Sequence, residues 1–237
     1  MQRNQDIPWL RLGAESVAIV VSILLAFSLN AWWENRLERE LESQQLTRLQ
    51  VELVTNIELM DEFRFADSSI NTGLRVIEMM EDAQASETVD IMITAASLFN
   101  LTRASTLEIE TSVFDGLVRS GSLDVIRDQQ IVSALAAWER TVRNYADLAV
   151  VSRATTETLL LPALHRRANT SFALTRVIPR SPDDDREGET EVSLSVDNEI
   201  MGLIAQKTAI LRTAARALTD MREAAEAAIE AIDAAEQ

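Results

Sequence analysis

SVAIVVSILLAFSLNAWW, running from Ser16 to Trp33, is 18 residues without a charge. Wound as an α-helix it measures ~27 Å, close to the ~30 Å hydrocarbon thickness of a bilayer. Leu12, Gly13 and Ala14 extend it if Glu15 is tolerated near the boundary. The reading is therefore a transmembrane helix over 12–33 behind a short tail, 1–11. Trp9 precedes the apolar run and Trp32 and Trp33 close it, so these residues and Arg11 are the candidate membrane-interface anchors. A cleavable signal peptide competes with this reading. The run is longer than an ordinary signal core, and the Trp-Trp-Glu-Asn-Arg that follows offers no small-residue cleavage site. An uncleaved anchor is expected.

Ala14, Ala18, Ser22, Ala26 and Asn30 recur every fourth residue and share one face of that helix. Small residues let helix backbones approach closely in lipid, and an asparagine can hydrogen-bond across such a contact. With Glu15 they form a candidate transmembrane contact face; the plainer alternative for Glu15 is a pair with Arg11, four residues earlier. Arg3 and Arg11 lie before the span and Arg36, Arg39 and Arg48 after it, so cation counting leaves the orientation open.

Beyond the span, no glycine or proline occurs until Gly73. Leu46, Leu49, Leu53, Ile57, Met60 and Phe63 step by three and four, which continues the membrane helix into a stalk over 34–66. A helical bundle is expected over 67–169. Ile70–Glu81 reads as helix, and Val89–Leu101 as a buried helix too short to span a bilayer. Thr111–Arg119 is a small helix ended by Gly121 in a left-handed cap, and a long helix runs from about Gln129 to Ala168 until Pro162 kinks or breaks it. Residues 170–197 hold Asp183, Asp184, Asp185, Glu187 and Glu189, an acidic loop flanked by Phe172–Ile178 and Val192–Val196, which are suited to a small hairpin.

Asp197 is placed to cap a final helix over 198–237. Ile204, Leu211, Ala214, Leu218, Met221, Ala225 and Ile232 form its heptad seam, within the bundle or between chains. The fold class is all-α: one transmembrane helix continuing into a stalk, then an elongated antiparallel bundle with a long C-terminal heptad helix.

Little in the composition points to chemistry. A net charge of -16 argues against a nucleic-acid partner. There is no cysteine, and the one histidine, His165, has no second histidine to share a metal with. Asp183, Asp185, Glu187 and Gly188 imitate a calcium loop only in charge, lacking its late glutamate. Glycines are scattered singly, so no phosphate-cradling loop exists. Lys207, the one lysine, falls on the heptad seam and is expected to reach out of it toward water. No cofactor, metal or small-molecule substrate is indicated, and the chain reads as non-enzymatic; a carboxylate hydrolase is the least favoured alternative.

Two segments resemble an uncharacterised bacterial family of single-span membrane proteins, a domain of unknown function. The first is Gly13-Ala14-Glu15-Ser16-Val17 with Leu29-Asn30-Ala31-Trp32-Trp33-Glu34-Asn35-Arg36, followed by Leu46–Asn56; the second is Ser112–Asp128, SVFDGLVRSGSLDVIRD. This chain departs from the pattern by inserting Ala14 and by carrying Trp33 where the family often has Asn. The resemblance implies a bacterial inner-membrane protein with a cytoplasmic N-terminus and a periplasmic domain, and it implies no activity. The functional expectation is contact with other proteins, as a self-associating scaffold (a homo-oligomer) or an accessory subunit of a larger membrane complex. An extracytoplasmic ligand-sensing bundle that signals through a partner is the alternative.

Overall fold

The computed structural model describes residues 9–63, 65–103, 107–169 and 190–235, and the side chains of α1 from Ile19 onward. The chain is mostly helical, in the order α1 (Trp9–Glu62), α2 (Phe65–Ala85), β1 (Asp90–Thr94), α3 (Ala95–Thr102), α4 (Ser112–Ser120), α5 (Gln129–Ala154), α6 (Leu161–Arg167), β2 (Glu191–Ser195) and α7 (Asn198–Ala235). It divides into two compact units. One holds the residues up to Leu49 with Val113–Arg127; the other holds Gln50–Ser112 and the residues from Asp128 onward.

In the second unit, α7 packs along α5 and α2. Its buried positions include Ile200, Ile204, Leu211, Ala214, Ala217, Met221, Ala225, Ala228 and Ile232. Alanine at so many of them lets neighbouring helices come close. The closest approach is at Gly73 on α2, where an added Cβ would collide with Thr208 Oγ1. The core continues through Val76 and Met80 of α2, Leu98 and Leu101 of α3, and Leu160 and Leu164.

Val89–Leu101 is not one helix. Its first part is β1, with Ile91 and Ile93 turned inward and Asp90, Met92 and Thr94 outward. That period of two is hidden inside a short apolar run, where periodicity cannot separate strand from helix. Thr94 then caps α3, its Oγ1 accepting from the Ser97 amide at 3.1 Å. β1 pairs antiparallel with β2, Ile91 opposite Leu194 and Ile93 opposite Val192. So the expected strand near Val192–Val196 exists, but its partner is Asp90–Thr94. The other half of the expected hairpin, Phe172–Ile178, lies outside the described residues, as does the acidic run Asp183–Glu187.

Pro162 does not end its helix. A π turn, Thr155–Leu160, precedes it, with the Leu161 amide reaching back to the Thr156 carbonyl. The wider turn sets Pro162 in the first turn of α6, where a missing amide is tolerated. Gly121 follows α4 with φ 70°, the left-handed conformation a glycine adopts without strain. The Asp197 carboxylate accepts from the Ile200 amide at 2.9 Å, capping α7.

The strap 107–111 lacks regular structure and is pinned by side chains. Asn56 donates to the Glu110 carbonyl at 2.7 Å and accepts from its amide at 2.8 Å. The Leu107 amide donates to Tyr145 Oη at 2.8 Å. Burial pushes the Tyr145 phenol above its ordinary pKa, so it stays protonated.

Among the described residues, no helix is long and apolar enough to cross a membrane. Those side chains begin after Ser16, Val17 and Ala18 of the charge-free run.

The Gly73 contact fixes a prediction. Overpacking costs about 1–3 kcal/mol and the helix propensity of Ala over Gly offsets about 1 kcal/mol of it. Gly73→Ala should therefore destabilise the chain by up to about 2 kcal/mol. Adding Thr208→Ala should recover most of that loss in thermal denaturation; additive losses would mean that the contact is not the cause.

Candidate functional site

Along α1, every side chain from Ile19 to Leu41 is exposed. The apolar ones are exposed on all sides of the helix, from Ile19 (61%) through Phe27 (70%) and Leu29 (63%) to Trp33 (64%). Of the sequence-predicted contact face, Ser22, Ala26 and Asn30 lie on this uncovered helix, whereas the side chains of Ala14, Glu15 and Ala18 fall outside the described ones. Asn30 donates to Glu34 Oε1 at 2.8 Å, a bond along its own helix. Trp9 and Arg11 are helical, with side chains outside the description. Trp32 and Trp33 are exposed with ring centroids 6.4 Å apart, and the Arg36 guanidinium lies 6.0 Å from the Trp32 ring.

Just past the tryptophans the helix acquires a polar collar. Arg127 Nη2 donates to Asn35 Oδ1 at 2.7 Å and to Glu38 Oε2 at 2.8 Å. The Arg127 backbone amide donates to Glu42 Oε1 at 2.9 Å. Asn35, Glu38 and Glu42 share one helix face by their spacing. Leu46, Leu49, Phe114, Leu117 and Ile126 are the buried apolar residues of this unit. Sequence reading missed the Arg127 contacts, since nothing in a lone arginine near the end of a loop names its partners.

The heptad seam lies in the second unit. Ile204, Leu211, Ala214, Met221, Ala225 and Ile232 are buried and Leu218 is half-buried, on the helix that packs along α2 and α5. His165 is exposed at the end of α6. Beside it, Arg167 pairs with Asp197 at 2.6 Å and also with Glu199. The bond from the Ile200 amide and then the Arg167 guanidinium hold the Asp197 carboxyl below its ordinary pKa. An open cleft of about 430 Å³ adjoins this pair, lined by Arg166, Asn169, Glu191 and Ser193 among others. Among the described residues no three acidic or histidine side chains converge as metal ligands.

Lys207 departs most from expectation. It does not reach water: the residue is 2% exposed, and its Nζ donates to the carbonyls of Leu101 and, at 2.8 Å, Arg103. These carbonyls sit at the C-terminal end of α3, where a helix lacks internal donors and a cation is favoured. Polar side chains gather at the same helix end, with Ser69 Oγ donating to the Asn100 carbonyl and Asn100 to Thr72 Oγ1. Burial lowers the ammonium's pKa from 10.5 to about 8. The neutral amine still has two N–H groups for the two carbonyls.

Compared with protein-family models, with curated proteins and with solved structures, the chain matches none of them.

The pH dependence follows from Lys207. Its pKa is about 8 in the folded chain and 10.5 when exposed, so the unfolded chain binds more protons between those values. Stability relative to Lys207→Met should rise with pH across that window, by at most roughly 3 kcal/mol. Denaturation of both proteins from neutral to alkaline pH checks this; a constant difference would show that the ammonium bears no desolvation cost.

Proposed function

We propose that this chain is a single-pass membrane protein that works by contact with other proteins, not by catalysis. The observation that carries the reading is the uncovered apolar helix. Monomers in water expose contiguous apolar patches of only a few hundred Å². Here Ile, Val, Leu and Phe surround α1 over about four turns, and among the described residues none covers them. A helix satisfies its own backbone polar groups, which is what hydrocarbon requires of a spanning segment.

The insertion energetics agree. Val17, Ile19, Val20, Val21, Ile23, Leu24, Leu25, Phe27 and Leu29 each favour the bilayer by about 0.3–0.6 kcal/mol near its centre. Together they contribute on the order of 3–5 kcal/mol. Trp32 and Trp33 mark one interface, and the charges resume directly after them. The resemblance to the single-span bacterial family supports an inner-membrane address, with the N-terminus cytoplasmic and the domain periplasmic. Arg127, in the second of its segments, donates to Asn35 in the first. A domain in which no reactive side chains converge among the described residues, behind such an anchor, suits a scaffold or an accessory subunit.

After an alkaline carbonate wash of membranes, the full-length protein should stay in the pellet. Leu24→Arg with Leu25→Arg, each costing about 2.5–3.5 kcal/mol at the helix centre, should release it. Recovery of the unmodified protein in the wash would end the membrane reading. Light scattering in mild detergent addresses the contacts: an assembly larger than one chain is expected, and a lone monomer with nothing co-purifying would refute them.

A further inference from the structure

We infer that the outer edge of β1 is an interface between two copies of this chain, which pair β1 to β1 antiparallel and so join two small sheets into one of four strands. The inference rests on the reading of the chain as self-associating and concerns the second unit.

The edge is defined by the hydrogen bonds at the two ends of β1. The Val196 amide donates to the Val89 carbonyl at 2.7 Å, and the Ala95 amide donates to the Thr190 carbonyl at 2.8 Å. Backbone groups alternate sides along a strand. Those of Ile91 and Ile93 therefore face β2, and those of Asp90, Met92 and Thr94 face away from it. Among the described residues the Met92 amide and carbonyl have no hydrogen-bond partner. The strand carries none of the usual devices that blunt an edge: no proline, no lysine and, through five consecutive pairs with β2, no bulge. Val89 is 68% exposed and Met92 48%, with Asp90 and Thr94 exposed beside them.

A second copy fits because the edge is complementary to itself. With Met92 opposite Met92 across a two-fold axis, the two residues exchange both backbone bonds. Each Thr94 amide then reaches the Asp90 carbonyl of the other copy. On the outer face the Met92 side chains meet and Asp90 comes opposite Thr94, so no carboxylate faces another across the seam. A parallel pairing in the same register would set Asp90 beside Asp90, a poor arrangement for a chain of net charge -16. Asp90 is already engaged on its own sheet, where Ser195 Oγ donates to it at 2.6 Å. Two strands of five residues bury far less than the roughly 1,600 Å² of a standard interface. The pairing therefore depends on the span, which confines the copies to one bilayer and raises their effective concentration.

The chain has no cysteine, so single substitutions report single contacts. Full-length Met92→Cys, Ser193→Cys and Val150→Cys would be reconstituted in phosphatidylcholine vesicles and mildly oxidised. In the pair the Met92 Cα atoms lie about 5.5 Å apart, within disulfide reach. Ser193 on β2 is three strand spacings from its counterpart, about 14 Å, beyond that reach. Val150, exposed on α5, reports random encounters. Met92→Cys should form a linked dimer at least about tenfold faster than either of the others. Met92→Pro keeps the β1–β2 bonds, which do not use that amide, and removes the outward donor. With its helix content unchanged by circular dichroism, it should abolish energy transfer between donor- and acceptor-labelled Val150→Cys copies in the same vesicles. Equal linking rates at Met92 and Val150 would overturn the edge pairing. Energy transfer that persists in Met92→Pro, with Met92→Cys unlinked, would overturn it too and leave self-association standing. Neither linking nor energy transfer in any variant would overturn self-association and this inference together.

Discussion

Where α7 meets α2, a glycine faces a threonine, and the helices come closer than a methyl group would permit. That closeness constrains the rest of the second unit. Thr208 turns its hydroxyl back to the Ile204 carbonyl at 2.8 Å, the usual bond of a helical threonine. Its neighbour Lys207 is enclosed by the same packing and must find acceptors inside. The end of α3 supplies them as the carbonyls of Leu101 and Arg103. A long helix rich in alanine thus organises its neighbours twice, by letting α2 approach and by delivering one cation to the end of α3.

The helices were legible because each buries a stripe with its own period. Leu46, Leu49 and Leu53, or Ile204, Leu211 and Met221, announce their element without reference to any other part of the chain. Gly121 and Asp197 were legible for the same reason, since a left-handed cap and an amide-accepting carboxylate act within a few residues. The small sheet was not. Ile91 and Ile93 alternate, but only the pairing with Val192 and Leu194, about a hundred residues later, makes that alternation a strand. At Pro162 the sequence predicts a kink or a break, and the wider helical turn upstream that absorbs the proline leaves no local mark. The side-chain contacts most informative about the candidate sites, Lys207 to Arg103 and Arg127 to Glu38, join residues far apart in sequence, and composition alone does not reveal such pairs.

The second unit answers some buried polar side chains from within, as Asn56 is answered by the Glu110 backbone. In the first, Asn35, Glu38 and Glu42 stay at the surface and hold Arg127 there. Exposed ion pairs contribute little to stability in water. A backbone amide and a two-partner guanidinium contribute position, fixing where the segment ends on the helix that carries it.

From Ala14 to Thr72 the sequence holds neither glycine nor proline, and α1 runs from Trp9 to Glu62 without a break. A helix free of the usual kink sites resists bending and twisting along its length. A rotation imposed on its uncovered turns is therefore not dissipated before Leu46 and Leu49, and must change the direction in which these leucines point. In mechanical terms this part of α1 is a shaft within the first unit.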